Sequence, residues 1–280
     1  MSFYPQPNKY LCGPFALKYA LVMFGIFRHE NDIAKLAGST WWAGTDEIGL
    51  AKAAEKYRCR LDYFGAQKPA AALELLNSRL EEGLPCILSV NNWGHWLTVL
   101  AHQQNRYIIV DSGQEKVIAI QSPAALLKHW KYSDQEGSTI SYDGYVLRPD
   151  FPTPVKARFT LETARYIMLK SNISLAKKWD TFFDDLTNIC VHDDRKNSDA
   201  YFTVGEFLDR NADIIASRIC FWHGSPRRSE LKKIMNHFRF VAEVYGLVIS
   251  KAKEIQAVTD FTSLLMMHVC GRYGIEPEQF

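Results

Sequence analysis

The chain has 280 residues, of which 47% are hydrophobic and 23% charged, and its net charge is +2 at pH 7. These values are ordinary for a globular protein with one large or two modest domains. The small net charge argues against general binding to nucleic acid or to acidic membranes. No apolar stretch reaches the roughly 18 residues that predict a membrane span. We therefore expect neither a nucleic-acid nor a membrane partner.

The cysteine pattern and the N-terminus bear on location and cofactors. The six cysteines are at positions 12, 59, 86, 190, 220 and 270. They form no CxxC pair and no zinc-type spacing, which predicts reduced thiols and no disulfide scaffold. The sequence implies no metal and no organic cofactor. The first ten residues, "MSFYPQPNKY", lack the charged and apolar regions of a secretory signal. A cytoplasmic location is the simplest prediction, although a leaderless secreted effector would have the same features.

The stretch "RPDFPTPVK" at 148–156 predicts a boundary between domains 1–149 and 150–280, because prolines favour an extended connector. The first domain begins with helical patterns and continues with short strand patterns. The helical patterns are "CGPFALKYALVMFG", "TDEIGLAKAAEKYRC", capped by Thr45, and "PAAALELLNSRLEEG"; the strand patterns are "PCILSV", "HWLTVLA", "RYIIVDS", "KVIAI" and "STISYDGYVLRP". This order predicts an α+β fold with helices on one side of an antiparallel sheet.

The second domain, 150–280, has helical periodicity nearly throughout. "SLAKKWDTFFDDLTNIC" predicts one helix, and "GSPRRSELKKIMNHFRFVAEVYGLVISKAKEI" predicts a longer one with Ser225 as its cap and Pro226 at its first position. These helices predict a small α-helical accessory domain. Its basic residues are either a solvated helix face or the docking site of an acidic protein partner.

One cysteine, one histidine and one aspartate are arranged as nucleophilic chemistry requires. Cys12 lies where the first helix starts, and free amides at a helix start favour a thiolate. His95 begins a predicted strand, and the following strand ends in Asp111. A hairpin that closes near residue 103 would pair these two residues on one face of the sheet. The pair would supply a base and a group that orients it.

Two further sets of residues are candidates for the same site. Gln6 would supply a side-chain amide that, with the backbone amide of Cys12, stabilises the oxyanion of a tetrahedral intermediate. Four tryptophans flank the proposed cleft in sequence and would either line it, as substrate-binding residues, or pack in the core and sheet. They are Trp41, Trp42, Trp93 and Trp96.

These motifs resemble those of the papain-like (clan CA) cysteine peptidases, and most of all the C39-like group. The resemblance rests on Gln-x5-Cys-Gly, on Gly-His followed by aromatic and apolar residues, and on Asp at the end of the next strand. It covers residues 6–149 and implies a papain-like fold. It also implies that Cys12 is the nucleophile, His95 the base and Asp111 its orienter, with Gln6 in the oxyanion hole. The family often has Pro after this Asp, whereas here Ser112 follows.

The resemblance implies a thiol hydrolase that cleaves a peptide or isopeptide bond in a peptide or protein substrate. Two alternatives stay open. The same triad could catalyse glutamine deamidation, transamidation or peptidyl transfer, because a similar Gln-x5-Cys-Gly opening occurs in phytochelatin synthases. Alternatively, the domain could be a catalytically silent papain-like fold that serves as a binding module.

Overall fold

The chain divides into two compact units. A computed structural model describes residues 1–152, 156–192 and 198–275. The contacts within it separate Met1–Asp180 from Thr181–Phe280. Residues 153–155, in the predicted proline-rich connector, lie outside the described residues.

The first unit extends past the boundary predicted at 149/150, because the chain that follows the prolines packs into the core of this unit. The rings of Phe159 and Trp179 pack against Phe3, with centroid distances of 6.1 and 6.0 Å. The ring of Phe159 also stacks on that of Trp179 at 5.6 Å. The prolines therefore precede a further part of the same compact unit.

The first unit contains an antiparallel sheet and helices, so the predicted α+β fold class is confirmed. Its helices are α1 (Cys12–Val22), α2 (Glu30–Ala37), α3 (Glu47–Lys56), α4 (Pro69–Glu81), α5 (Pro123–Trp130), α6 (Leu161–Met168) and α7 (Ile173–Lys177). Its strands are β1 (Cys59–Ala66), β2 (Cys86–Val90), β3 (His95–Gln103), β4 (Arg106–Val110), β5 (Ile118–Gln121), β6 (Tyr132–Ser133) and β7 (Ile140–Pro149). The strands lie in the order β1-β7-β2-β3-β4-β5, and β6 pairs with β7.

Helices cover both faces of this sheet, not one face as predicted. The strand register places Thr98 and Phe64 on opposite faces. On one face, Thr98 Oγ1 donates a hydrogen bond to the Ala16 carbonyl of α1 at 2.7 Å. On the other face, the ring of Trp130 in α5 packs against Phe64. Two covered faces explain why β2 is buried at every residue.

Helix α8 (Trp179–Thr187) contains the division between the units. The second unit then continues with β8 (Val191–His192), β9 (Tyr201–Thr203), α9 (Val204–His223), α10 (Arg228–Tyr245), β10 (Leu247–Ser250) and α11 (Glu254–Tyr273). Its three short strands form an antiparallel sheet in the order β8-β10-β9. The sequence predicted helices only here, because strands of two to four residues are too short to show an alternating pattern.

Several helix ends also differ from prediction. Asp46, not Thr45, caps α3, and its Oδ1 accepts the Gly49 N–H at 2.7 Å. Helix α10 begins after Arg227, beyond the predicted cap Ser225. The single helix predicted over 174–190 is interrupted at Lys178, between α7 and α8. No helix among the described residues is long and apolar enough to cross a membrane.

Candidate active site

The helix that carries the predicted nucleophile is held in place at its start. Helix α1 begins at Cys12 and is buried along its entire length. A single 3-10 turn over Lys9–Leu11 leads into it, and Asn8 Oδ1 accepts the Tyr10 N–H at 3.1 Å. A Cβ added to Gly13 would lie 2.9 Å from the Cβ of Thr45. The thiol therefore lies at a rigid helix N-terminus, where amides and the helix dipole favour negative charge.

The structure brings His95 together with both Cys12 and Asp111. His95 Nε2 lies 2.6 Å from Asp111 Oδ1, and each side chain is 15% exposed. The imidazole also interacts with the Cys12 side chain. Because Nε2 faces the carboxylate, Nδ1 is the ring nitrogen left for the thiol. The three side chains thus lie in one series of contacts, from Cys12 to His95 to Asp111.

The pairing that brings His95 near Asp111 differs from the predicted one. The strands β3 and β4 shift register immediately after Val99, which pairs with Ile109. With that register, Asp111 lies opposite Leu97 and diagonal to His95. The prediction that these two residues pair directly was therefore wrong. Diagonal neighbours on one face are still within reach of each other, which explains why the contact forms.

The electrostatics of the pair favour a proton on the imidazole. Burial alone would lower the pKa of His95, but hydrogen bonds with Asp111 and Cys12 outweigh it and raise that pKa to about 9. Burial would raise the pKa of Asp111, but the hydrogen bond and charge of His95 hold it below its ordinary value. Both shifts stabilise an imidazolium beside a carboxylate. Stabilising the imidazolium makes the neutral ring a stronger base, so the neutral ring can accept a proton from a thiol and the imidazolium can then give that proton to a leaving group.

The loop after β4 has a residue that the sequence analysis missed. Gly113 donates its N–H to Asp111 Oδ1 at 2.9 Å. A Cβ at this position would lie 3.2 Å from Asp111 Oδ1 and 3.2 Å from His95 Nε2. A side chain here would therefore crowd the contact between the two groups. A glycine two residues after the aspartate was the available signal.

Gln6 is fixed to the residue that follows Asp111. The Gln6 N–H donates to the Ser112 carbonyl at 2.9 Å, and Ser112 Oγ donates to Gln6 Oε1 at 2.5 Å. Gln6 Nε2 donates to the Asn8 carbonyl at 2.7 Å. Because a carbonyl can only accept, the Asn8 contact determines that Nε2 is the donor end of the amide, and the Ser112 hydroxyl then donates to Oε1 at the other end. Ser112 is buried, and its role was not predicted.

The four tryptophans have three different environments. Trp41 and Trp42 are 70% and 68% exposed, on a loop that two backbone hydrogen bonds between Thr40 and Gly44 close at 2.9 Å each. Trp96 is buried, and its Nε1 donates to the carbonyl of Thr45 at 2.9 Å.

Trp93 is more than half exposed, and its ring stacks on Tyr132 with centroids 3.9 Å apart. Of the four, Trp41 and Trp42 thus present the largest free ring surface. Trp96 fits the core-packing alternative, and Trp93 is held by its neighbours.

Within residues 1–152, 156–192 and 198–275, no group of three or more His, Cys, Asp or Glu side chains is placed to hold a metal ion.

Comparison with known proteins gave similarity at the level of structure only. No family model matches the chain, and no curated protein matches it. One similar solved structure is the peptidase domain of Streptococcus ComA, a bifunctional ABC transporter involved in quorum sensing. It is 17% identical with a TM-score of 0.40, and the match covers 53% of this chain and 98% of that domain.

Two more solved structures match about the same share of the chain. A double-glycine-motif protease from an AMS/PCAT transporter, in complex with a leader peptide, is 18% identical with a TM-score of 0.40; the match covers 52% of this chain and 90% of that one. A putative C39-like peptidase from Bacillus anthracis is 16% identical with a TM-score of 0.36, over 52% of this chain and 94% of that one. The family that the sequence motifs resemble is also present among these structures.

Proposed function

We propose that this protein is a cysteine peptidase that cleaves a peptide or isopeptide bond. One observation supports the proposal above all others. The His95 imidazole interacts with the thiol of Cys12 at a helix N-terminus and lies 2.6 Å from Asp111 Oδ1. A nucleophile, a base and a group that orients the base are the three parts of a thiol acyl-transfer site.

The proposed reaction has two steps. The Cys12 thiol gives its proton to His95 Nδ1, and the sulfur attacks the carbonyl carbon of the substrate. The carbon–nitrogen bond breaks as the imidazolium gives that proton to the leaving amine. Water then attacks the thioester, His95 accepts a proton from the water, and the carboxylic acid and the free thiol are released.

Gln6 and the backbone of Cys12 are the proposed oxyanion hole. The first attack places negative charge on the carbonyl oxygen, and preorganised N–H donors stabilise it. Gln6 Oε1 accepts from Ser112, and one N–H of Nε2 donates to the carbonyl of Asn8. The second N–H of Nε2 is the one that would donate to an oxyanion.

Trp41 and Trp42 are the proposed substrate-contacting surface. Their loop adjoins the start of α1, because Thr45 packs on Gly13 and Gly44 lies close to the carbonyl of Tyr10. Two large exposed aromatic rings beside a nucleophile are suited to bind the apolar part of a peptide.

The first test is the rate at which iodoacetamide alkylates Cys12 at pH 6, read by peptide mass spectrometry. We expect Cys12 to react at least about tenfold faster than the more exposed Cys220, and we expect His95→Ala to abolish that advantage. Burial raises the pKa of Cys59 to about 11, so this thiol is an unreactive internal reference. His102→Ala, in the same strand β3, is the matched control and should change nothing. A native Cys12 that reacts no faster than Cys220 contradicts the proposal.

Reaction class is tested by incubating the protein and its Cys12→Ala variant with a mixed-sequence peptide library. Cleaved peptides that depend on Cys12 support hydrolysis, and a Trp41→Ala/Trp42→Ala variant should then cleave less while iodoacetamide alkylation stays the same. Ammonia release or new adducts without cleavage identify deamidation, transamidation or peptidyl transfer instead. Neither product, together with an unreactive Cys12, identifies a silent binding module.

A further inference from the structure

The turn that leads into His95 has an unusual backbone. Asn91, Asn92 and Trp93 have φ values of 55°, 54° and 62°, so three consecutive non-glycine residues adopt the left-handed conformation. Side chains disfavour this conformation, and it persists only where the surroundings impose it. The end of the turn is Gly94, and His95 follows it directly. The contacts that hold the turn in this conformation therefore also determine the position of the His95 side chain.

Part of the restraint comes from the backbone of the neighbouring helix and strand. The Asn91 N–H donates to the His129 carbonyl at the end of α5 at 2.8 Å. Asn92 Oδ1 accepts the Ser133 N–H of β6 at 3.3 Å. These two bonds hold the first two residues of the turn, and the third residue is held by its side chain.

Trp93 is held at both its ring face and its N–H. Its ring lies on Tyr132 with an interplanar angle of 7° and centroids 3.9 Å apart. Its Nε1 donates to Asp143 Oδ2 at 2.8 Å. The same carboxylate accepts from Tyr63 at 2.7 Å and from Ser141 at 2.6 Å.

The Asp143 carboxylate thus has three donors that fix its position on β7. Strand β7 pairs with β2, and β2 pairs with β3, the strand that His95 begins. The turn is therefore joined to the sheet twice, through the contact of Trp93 with Asp143 on β7 and through β3, which follows the turn.

We propose that Trp93 and Asp143 are positioning residues for His95, which hold the left-handed turn so that the imidazole lies between Cys12 and Asp111. This inference rests on the proposed function, because it concerns the base of that reaction. It gives Trp93 a role besides the substrate contact that its place in the sequence suggested. Asp143 had no predicted role.

The test uses Trp93→Phe, which keeps an aromatic ring over Tyr132 and removes only the donor to Asp143. Two readouts report on His95 without any substrate: the NMR titration of its Cε1–H, assigned with His95→Ala, and the alkylation rate of Cys12 by iodoacetamide at pH 6. We expect the measured pKa of His95 to fall and alkylation to slow by about three- to tenfold. Trp222→Phe, an exposed tryptophan of the second unit, is the matched control and should leave both readouts unchanged.

Asp143→Asn is the second variant and should move both readouts in the same direction. The double variant should be no worse than the more affected single one, because the two residues act through one contact. If wild-type Cys12 shows the His95-dependent rate and Trp93→Phe leaves both readouts unchanged, the positioning role is overturned and the proposed function stands. If wild-type Cys12 shows no His95-dependent rate, the proposed function fails, and this inference fails with it.

Discussion

Among the described residues of the first unit, two pairs of opposite charge lie largely out of solvent, and one of them is at the candidate active site. Lys18, in the middle of α1, has its Nζ 2.8 Å from Glu30 Oε2, and the two side chains are 3% and 8% exposed. His95 Nε2 is 2.6 Å from Asp111 Oδ1, with both side chains 15% exposed. Both contacts are short, and by burial alone the Lys18–Glu30 pair would rank above the His95–Asp111 pair.

The surroundings of the two pairs separate them. Tyr4 completes the first pair, since its hydroxyl donates to Glu30 Oε2 at 2.5 Å and accepts from Lys18 Nζ at 3.1 Å. The amine, the carboxylate and the phenol of this cluster hydrogen-bond with one another. The second pair shares the imidazole with the Cys12 thiol. An ion pair with shifted pKa values therefore points to a catalytic site only when a reactive side chain also contacts it, and otherwise has a structural role.

The largest expected effect is on stability, from breaking the Lys18–Glu30 pair. In Glu30→Ala a buried amine loses its carboxylate, and we expect the free energy of unfolding to fall by about 3–5 kcal/mol. Urea unfolding followed by tryptophan fluorescence measures the change. The alkylation rate of Cys12 in the folded variant should stay within about twofold of wild type, because the active-site pair is intact.

A surface pair supplies the control for that variant. Asp150 Oδ1 lies 2.9 Å from Arg60 Nε, and both side chains are well exposed. Asp150→Ala should cost at most about 1 kcal/mol. Equal losses in the two variants would mean that burial of Lys18 and Glu30 does not distinguish their pair from one on the surface.

Asp111→Asn should have the next largest effect, which should be on the protonation of His95 and on the reactivity of Cys12. Without the carboxylate, the pKa of His95 should fall from about 9 toward the ordinary value of ~6.5. Alkylation of Cys12 at pH 8 should then slow by about tenfold, because less of the imidazolium that supports a thiolate is present. NMR titration of His95 and mass spectrometry measure the two quantities. Glu30→Gln is the matched carboxylate-to-amide control and should leave the His95 titration where it was.

The pKa shifts of His95 and Asp111 also predict how the effect of Asp111→Asn on stability depends on pH. The pKa of folded His95, about 9, exceeds the unfolded value of ~6.5, so its contribution is full below pH ~6.5 and is lost as pH rises through about 9. The pKa of Asp111 is lowered by folding, so its contribution is present above ~3.9 and is lost on acidification. The stability difference between wild type and Asp111→Asn should thus be largest between about pH 4 and 6.5 and shrink by about pH 10. A stability difference that stays constant over that pH range would contradict the pKa shifts of His95 and Asp111.

Local sequence signals were sufficient for the elements that carry Cys12 and His95. Pro14 in the first turn and the apolar run after it predicted where α1 begins. Short runs rich in Val, Ile, Thr and Tyr, separated by turn residues, predicted β3 and β4 and placed the histidine and the aspartate at strand ends. Each of these signals depends on only a few residues that are neighbours in the sequence.

Features that depend on distant parts of the chain were not predictable in this way. The register shift after Val99 is set by packing between strands, and no turn motif showed it. Lys18 lies inside an apolar run, and nothing near it in sequence pointed to Glu30 as its partner. The return of Phe159 and Trp179 to the first unit likewise depends on contacts with Phe3. All three are tertiary effects that a local pattern does not contain.

The smallest expected effect tests the residue that departs from the family pattern. A proline after Asp111 would have no hydroxyl, whereas Ser112 Oγ holds Gln6 Oε1 at 2.5 Å. In Ser112→Ala the amide is held at its nitrogen alone, by the Asn8 carbonyl, and we expect cleavage of a library-identified peptide to slow by up to about tenfold. Alkylation of Cys12 should not change, because displacement of iodide by a thiolate forms no oxyanion.

A double-mutant cycle assigns that loss to the amide. Ser112→Ala should add nothing once Gln6→Ala has removed the group to which the hydroxyl donates. Ser78→Ala, at an exposed position of α4, is the matched control and should have no effect on cleavage. If Ser112→Ala slows cleavage equally in both backgrounds, the hydroxyl acts on something other than Gln6. If Ser112→Ala also slows the alkylation of Cys12, Ser112 acts through the His95–Asp111 pair. The proposal that the base and the oxyanion hole depend on separate residues is then wrong.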